Sequence, residues 1–177
     1  MPILTGGNVI AGGSVPVLRF AGTPVGGTSE VQTITIGGTP DGGTFTLTFE
    51  GHTTAPIAWS ATNNTLRDNV DAALEALNNI GAGGVTTAVG TMTAGVGTLT
   101  VTLAGNLAKK AVGLMTATSS LTGTAPTVGV TETTPGVDPS FPGAIKGQLV
   151  SDTTNGLLYI NTGTALSQTW TVAGSQS

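Results

Sequence analysis

Catalysis, metal binding and group transfer each need particular side chains at workable spacings, and this chain offers few of them. Its only histidine, His52, follows Gly51 at the end of an alternating apolar run. Nucleophilic catalysis needs a nucleophile, a base and a group that orients the base, and no such trio can be assembled around His52. A lone histidine in a turn is far more often a solvated surface residue than a general base. Nine acidic residues are present, but Asp68, Asp71 and Glu75 fall on a predicted helix and Asp41 in a predicted turn. Asp152 lies at a strand end near Asn155. A pair of acids with separated pKa values has no local spacing to support it. Asp138 and Asp152 could join backbone carbonyls around calcium, a weak signal without any HxH, HExxH or DxDxDG pattern. Cysteine is absent, which excludes disulfide staples and thiolate metal sites. The glycine-rich segments at 37–43 and 81–84 match neither the dinucleotide nor the P-loop spacing. Trp59, Tyr159 and Trp170 could stack on sugars, yet aromatics spread over distant segments more often anchor a core or an interface. The expectation is a chain that is not an enzyme and carries no cofactor and no metal.

Composition narrows the class further. Of 177 residues only 8% are charged, 38% are hydrophobic and 28 are glycine, with a net charge of −4. A disordered chain would be poor in apolar residues and rich in charge, so the pattern points to an ordered protein with threonine on its wet faces. Five basic residues, Arg19, Arg67, Lys109, Lys110 and Lys146, cannot build the positive footprint that phosphate binding needs. No nucleic-acid partner is expected. No apolar run approaches the ~20 residues needed to span a bilayer, and Met1-Pro2-Ile3 lacks the start of a secretory signal. No membrane partner is expected either.

The elements that would position an interacting surface read in four parts. Residues 1–29 form a predicted extended arm, interrupted by glycine pairs and by Pro16 and Pro24. It carries Val9, Ile10, Val15, Val17, Leu18 and Phe20, too little apolar surface to fold alone but enough to order against a partner. Residues 30–137 form a predicted antiparallel, β-sandwich-like module in a mainly β protein. Phe45, Leu47 and Phe49 alternate with threonines, as do Leu99, Val101 and Leu103, and again Val128 and Val130. Period-two alternation of this kind marks half-buried strands, and threonine suits the wet face of an extended backbone. Val31 to Ile36 is a further strand, and the connector at 37–43 has the chemistry of a hairpin turn. One packed helix is predicted over about 65–80, from the stripe Leu66, Val70, Ala73, Leu74 and Leu77. Thr65 with Asp68 would cap it, Asp68 and Asp71 would favour its dipole, and Gly81 would stop it. Pro135, Pro139 and Pro142 suggest a stiff linker over 138–146. A small β unit at 147–177 follows, with a tight turn at Asn155-Gly156. Some 30 residues are too few for an independent core, so this unit must pack on the chain or on copies of itself.

Three stretches carry a resemblance. TGGNVIAGG at 5–13 resembles the start of small capsid-associated proteins of tailed phages. LVSDTTNGLLYINTGTALSQTWTVAG at 149–174 is similar to a module ending phage head decoration and head-fibre proteins. The stretch from Glu30 to Val137 looks like a β module recurrent in phage virion proteins. The resemblance is to actinobacteriophage-type minor capsid or head decoration proteins, which bring no catalytic residues to transfer. It implies a virion protein on the capsid exterior whose partner is the major capsid protein. Val9, Ile10 and the rest of the arm would touch that partner. Leu158, Tyr159, Ile160 and Trp170 would form a homotrimer interface or docking base. The alternative it leaves is a head- or tail-fibre module that binds a host carbohydrate or receptor.

Overall fold

The computed structural model describes residues 17–175. In chain order the strands are β1 (Val17–Phe20), β2 (Val31–Phe49), β3 (His52–Thr53) and β4 (Ile57–Ala58). Helix α1 (Asn63–Glu75) follows, then β5 (Val85–Thr93), β6 (Val96–Leu103) and β7 (Thr116–Thr134). The chain ends with β8 (Leu149–Asp152), β9 (Leu157–Asn161) and β10 (Trp170–Ser175). The fold is mainly β, with antiparallel pairing throughout except between β1 and β8, and one packed α-helix among the described residues, as the alternation predicts. The chain divides into two compact units: Thr28–Val137 is one, and the segments up to Gly27 and from Asp138 make the other. Thr28 and Val137 exchange a pair of backbone hydrogen bonds of 2.9 Å each, so the inner unit is entered and left at one neck.

β2 organises the inner unit. Along one side it pairs antiparallel with β7 over nearly its whole length. Along the other it meets β6 through residues 31–36, then β4 at Thr44 and Phe45, and β3 at Thr48 and Phe49. β5 continues the sheet beyond β6. Alternate side chains of β2 (Ile34, Ile36, Phe45, Leu47, Phe49) are fully or almost fully buried, with Leu99, Val101 and Leu103 of β6 beside them. The second layer of the sandwich-like core comes from α1, whose Leu66, Val70 and Leu74 are buried against the same cluster. A residue touching that many neighbours is held by close packing rather than by charge.

One prediction fails here. The segment at 37–43 is no hairpin turn: β2 runs straight through it, paired with residues 121–127 of β7. The register shifts at Gly37/Thr39 and again at Pro40/Gly42, so the turn-forming residues serve as bulges. Gly38 and Gly43 have φ of +76° and +87°. A Cβ on Gly38 would lie 2.1 Å from the Ala125 carbonyl oxygen, and one on Gly43 2.5 Å from that of Ser120. Glycine is therefore required there by close backbone approach as well as by φ. Turn signals in sequence cannot separate this use from a reversal, because both need positive φ.

The helix also departs from its predicted limits. It starts at Asn63, with Thr62 at the N-cap making no side-chain cap bond, so Thr65 lies inside the helix and caps nothing. Asp68 instead pairs with neighbouring Arg67 at the surface, a contact of little energetic weight. Asp71 accepts a 3.0 Å hydrogen bond from the Thr87 N–H of β5, tying helix to sheet rather than answering the dipole. Regular helix ends at Glu75, but Leu77 and Ile80 stay buried in tight turns held by bonds to Leu74 and Leu77 carbonyls. The Gly81 N–H returns to the Leu77 carbonyl and closes the segment where the stop is expected. Asn63 adds a clamp that no motif announces, donating to the Met92 carbonyl and accepting from the Gly95 N–H across the β5–β6 turn.

A buried polar cluster fastens the loop before β7. The Glu30 carboxylate accepts from the Gln32 side-chain amide and from the Val112 N–H, and the Gln32 carbonyl oxygen accepts from the Met115 N–H. Both side chains are essentially inaccessible, and burial of such groups is tolerable only with this degree of satisfaction.

Two stability measurements check this account. Leu74→Ala should cost about 2–5 kcal/mol in denaturant unfolding, the range for truncating a buried leucine. Gly43→Ala should also destabilise the chain, by at least about 1 kcal/mol for the strained φ. An unchanged midpoint in either variant would contradict the packing described for that residue.

Candidate interaction surface

The terminal unit builds its sheet in the order β1-β8-β9-β10. β8, β9 and β10 are antiparallel neighbours, while β1 lies parallel to β8, with Val17 opposite Leu149 and Phe20 opposite Asp152. Val17, Leu18 and Phe20, predicted on an arm awaiting a partner, thus belong to the chain's own fold from β1 onward. The physical reason is that a three-stranded meander of this size leaves one edge and one face uncovered, and β1 supplies the missing strand. Val9, Ile10 and Val15 lie outside the described residues.

Segment 138–146 is likewise more than a spacer. Phe141 stacks edge-on between Phe20 and Trp170, with ring centroids 5.1 Å and 5.6 Å away. Ala144 is buried, and its carbonyl oxygen accepts a 2.7 Å bond from the Asn161 side-chain amide. Tyr159 reaches the Thr23 hydroxyl through its own. The prolines stiffen a segment whose apolar side chains roof one face of the sheet, so the unit gathers a core from both ends of the chain.

Asp152 fixes the corner of this sheet. Its carboxylate is wholly inaccessible and accepts from the N–H groups of Gly22, Thr154 and Asn155 and from the Asn155 side-chain amide, at 2.7–3.1 Å. The turn thereby closes over four residues, 153–156, with Leu157 opposite Asp152. Burial alone would raise the Asp152 pKa, but the hydrogen bonds from Asn155, Thr154 and Gly22 outweigh it and hold the carboxyl below its usual value. With every near donor already a protein N–H, this aspartate has a structural task. Among the described residues no three potential metal ligands cluster, and His52 is exposed, its Nδ1 3.2 Å from the Glu50 carbonyl oxygen.

Strand alternation and register sort the predicted interface residues into two groups. Tyr159 shares a row with Leu18 and Val150, and Trp170 shares one with Asn161; these rows face the aromatic roof. Tyr159 is buried, and Trp170 stacks on Phe141. Leu158 and Ile160 point to the opposite face. There Ile160 is in register with Leu149 and, through it, Val17, and Leu158 with Ser151 and Arg19. Leu149, Leu158 and Ile160 are half-buried and Val17 is 49% exposed. The outcome is a compact apolar patch with a single cation, Arg19, at its margin. Leu166, 81% exposed, tips a separate loop whose Thr164 and Ser167 exchange backbone bonds. The sequence alone places Val17 on the arm rather than on this face and does not single out Leu149, because the parallel pairing of β1 with β8 is nonlocal.

Each of the three separated aromatics has a local task within its own unit. Trp59 donates to the Gly95 carbonyl in the inner unit, and Tyr159 and Trp170 serve the terminal core. Among the described residues, no helix is long and apolar enough to cross a membrane.

No family model matches the chain, and no curated protein matches it. Among solved structures, a chain from Mycobacterium phage Patience is similar at 17% identity and a TM-score of 0.38. The match covers 85% of this chain and 57% of that one, so this chain spans little more than half of its neighbour's length. The likeness to a phage chain is weak.

The lowered Asp152 pKa sets a pH dependence. A carboxyl whose folded pKa lies below its unfolded value stabilises the fold above the unfolded pKa, and that contribution is lost as pH falls through the folded one. Acid titration followed by Trp170 emission in a Trp59→Phe background should show the terminal unit loosening in this acid range. Asp152→Asn should be less stable at neutral pH and show a smaller acid-dependent loss. Identical pH profiles for the two proteins would count against the role given to Asp152.

Proposed function

We propose that this chain is a non-enzymatic structural virion protein of a tailed phage. It acts as a capsid decoration protein on the head exterior, binding the outer surface of the major capsid protein lattice and stabilising the shell. The observation that carries this reading is the apolar patch of Val17, Leu149, Leu158 and Ile160 on a sheet otherwise low in charge. The resemblance of segments 5–13 and 149–174 to head-associated phage proteins gives the patch its partner. Residues 1–16, with Val9, Ile10 and Val15, extend the contact along the lattice. The chain works as a homotrimer, with Leu158 and Ile160 at the contact between copies or at the docking base, and Tyr159 and Trp170 supporting that surface from inside.

The physics of such a role suits the composition. Modest contacts repeated over a symmetric lattice give high avidity without any single strong site. Low surface charge makes attachment insensitive to ionic strength, since little of it is screened. A fibre module reading sugars would want exposed aromatics, whereas Tyr159 is buried and Trp170 stacks on Phe141 within its own unit.

Three measurements bear on the proposal. Purified virions should hold hundreds of copies for a large lattice of repeated sites; a handful would favour a tail component. Val17→Lys should abolish capsid binding and leave the melting temperature of the free protein nearly unchanged, because Val17 is 49% exposed and such a position tolerates charge better than a core position. Retained binding would remove the patch from the interface. Deleting residues 1–16 leaves β1 in place, so weakened capsid binding with an intact fold is expected, and unaltered binding would show that the arm plays no part.

A further inference from the structure

The sheet of the inner unit treats its two margins differently. At the β5 margin the outward Thr87 N–H is already taken by Asp71, and α1 packs against the strand. At the other margin β7, 19 residues long, pairs with β2 on one side only, and among the described strands no other pairs with it. Most of its residues are exposed. An open edge of this length is a template for another strand, and charged side chains are a common means of guarding one. β7 carries a single charged residue, Glu132.

The edge is not uniform. Ala125 has a φ of +46° and Pro126 lacks an N–H, so the middle of β7 cannot continue a ladder outward. Residues 127–132 are regular, in unbroken register with residues 37 down to 32 of β2. Their inner face continues the core in rows: Leu99, Ile34 and Val130 align across β6, β2 and β7, and Gly97, Ile36 and Val128 in the next row. Val128 and Val130 are only partly buried, so each apolar row stops half-covered at the sheet margin.

We propose that this edge pairs antiparallel with β7 of a second copy of the chain, with Val130 opposite Val130. That register runs the Leu99, Ile34 and Val130 row into its own counterpart and joins the two sheets into one. It sets Glu132 against Val128 and Gly129 against Thr131, so the only charged residue of the strand never meets its like. The same edge turned about a twofold axis presents its regular segment and its partly buried Val130 to an identical partner, a closed self-complementary contact. The contact lies outside the terminal unit and does not depend on the function proposed above.

The chain has no cysteine of its own, which gives a clean test. A Cβ at Gly129 meets nothing within 4 Å, and Thr131 is exposed, so Gly129→Cys and Thr131→Cys should both fold; their melting curves check this. The two variants are co-expressed as full chains, purified and oxidised. A disulfide-linked dimer should form in the mixed sample and not from either variant alone, because only the 129–131 positions face each other across the proposed axis. No linked dimer in the mixture overturns the proposal. Equal dimer from each variant alone overturns the register and with it the charge argument. A contact made only by the terminal unit would give neither product, so the result is independent of how that unit assembles.

Discussion

The backbone ladder of β2 is the constraint on which the inner unit depends. This one strand bonds to β7 on one side and in turn to β6, β4 and β3 on the other. Backbone donors and acceptors buried in such a sheet must be paired, so a break in β2 would strand groups on four neighbours together. Its continuity across residues 37–43 is what lets Ile34 and Ile36 share a core with Phe45, Leu47 and Phe49. The bulges bend the strand without interrupting it. The helix, the clamped loop before β7 and the short strands β3 and β4 all add to a frame that β2 has already set.

The terminal unit solves a different problem, that of having too little chain for a core. It draws β1 from before the inner unit and the Phe141 segment from after it, and closes both over β8 and β9. Asp152 is the joint between these pieces, since it takes N–H groups from Gly22 and from its own turn. One face of the sheet is thereby covered in part by aromatic rings, and the other keeps its leucine, isoleucine and valine side chains partly in water. The unit thus spends its aromatics on one face and leaves aliphatic side chains on the other.

Much of this was legible in the amino-acid order wherever a signal was local. The alternation of Phe45, Leu47 and Phe49 marked a strand, and the spacing of Leu66, Val70 and Leu74 marked a helix face. What escaped was nonlocal or ambiguous in kind. Glycines at 37–43 read as a reversal because bulges and turns ask for the same φ. The prolines of 138–146 read as a linker because nothing nearby shows that Phe141 meets Phe20, 121 positions earlier. The apolar patch was half-visible: Leu158 and Ile160 were singled out, while Tyr159 and Trp170 belong to the opposite face, a distinction that depends on strand register alone.

The paired bonds between Thr28 and Val137 bring the two ends of the inner unit to adjacent positions. A segment whose ends touch behaves as a cassette: the host chain needs only a short bridge in its place, and closing such a gap costs little loop entropy. The terminal unit could therefore carry cargo of other sizes and folds at that same junction, and lineages sharing its β1 and β8–β10 segments need not share anything in between. For the same reason, foreign domains spliced between Gly27 and Asp138 would leave the covalent frame of the terminal unit intact, which makes the neck a natural graft point.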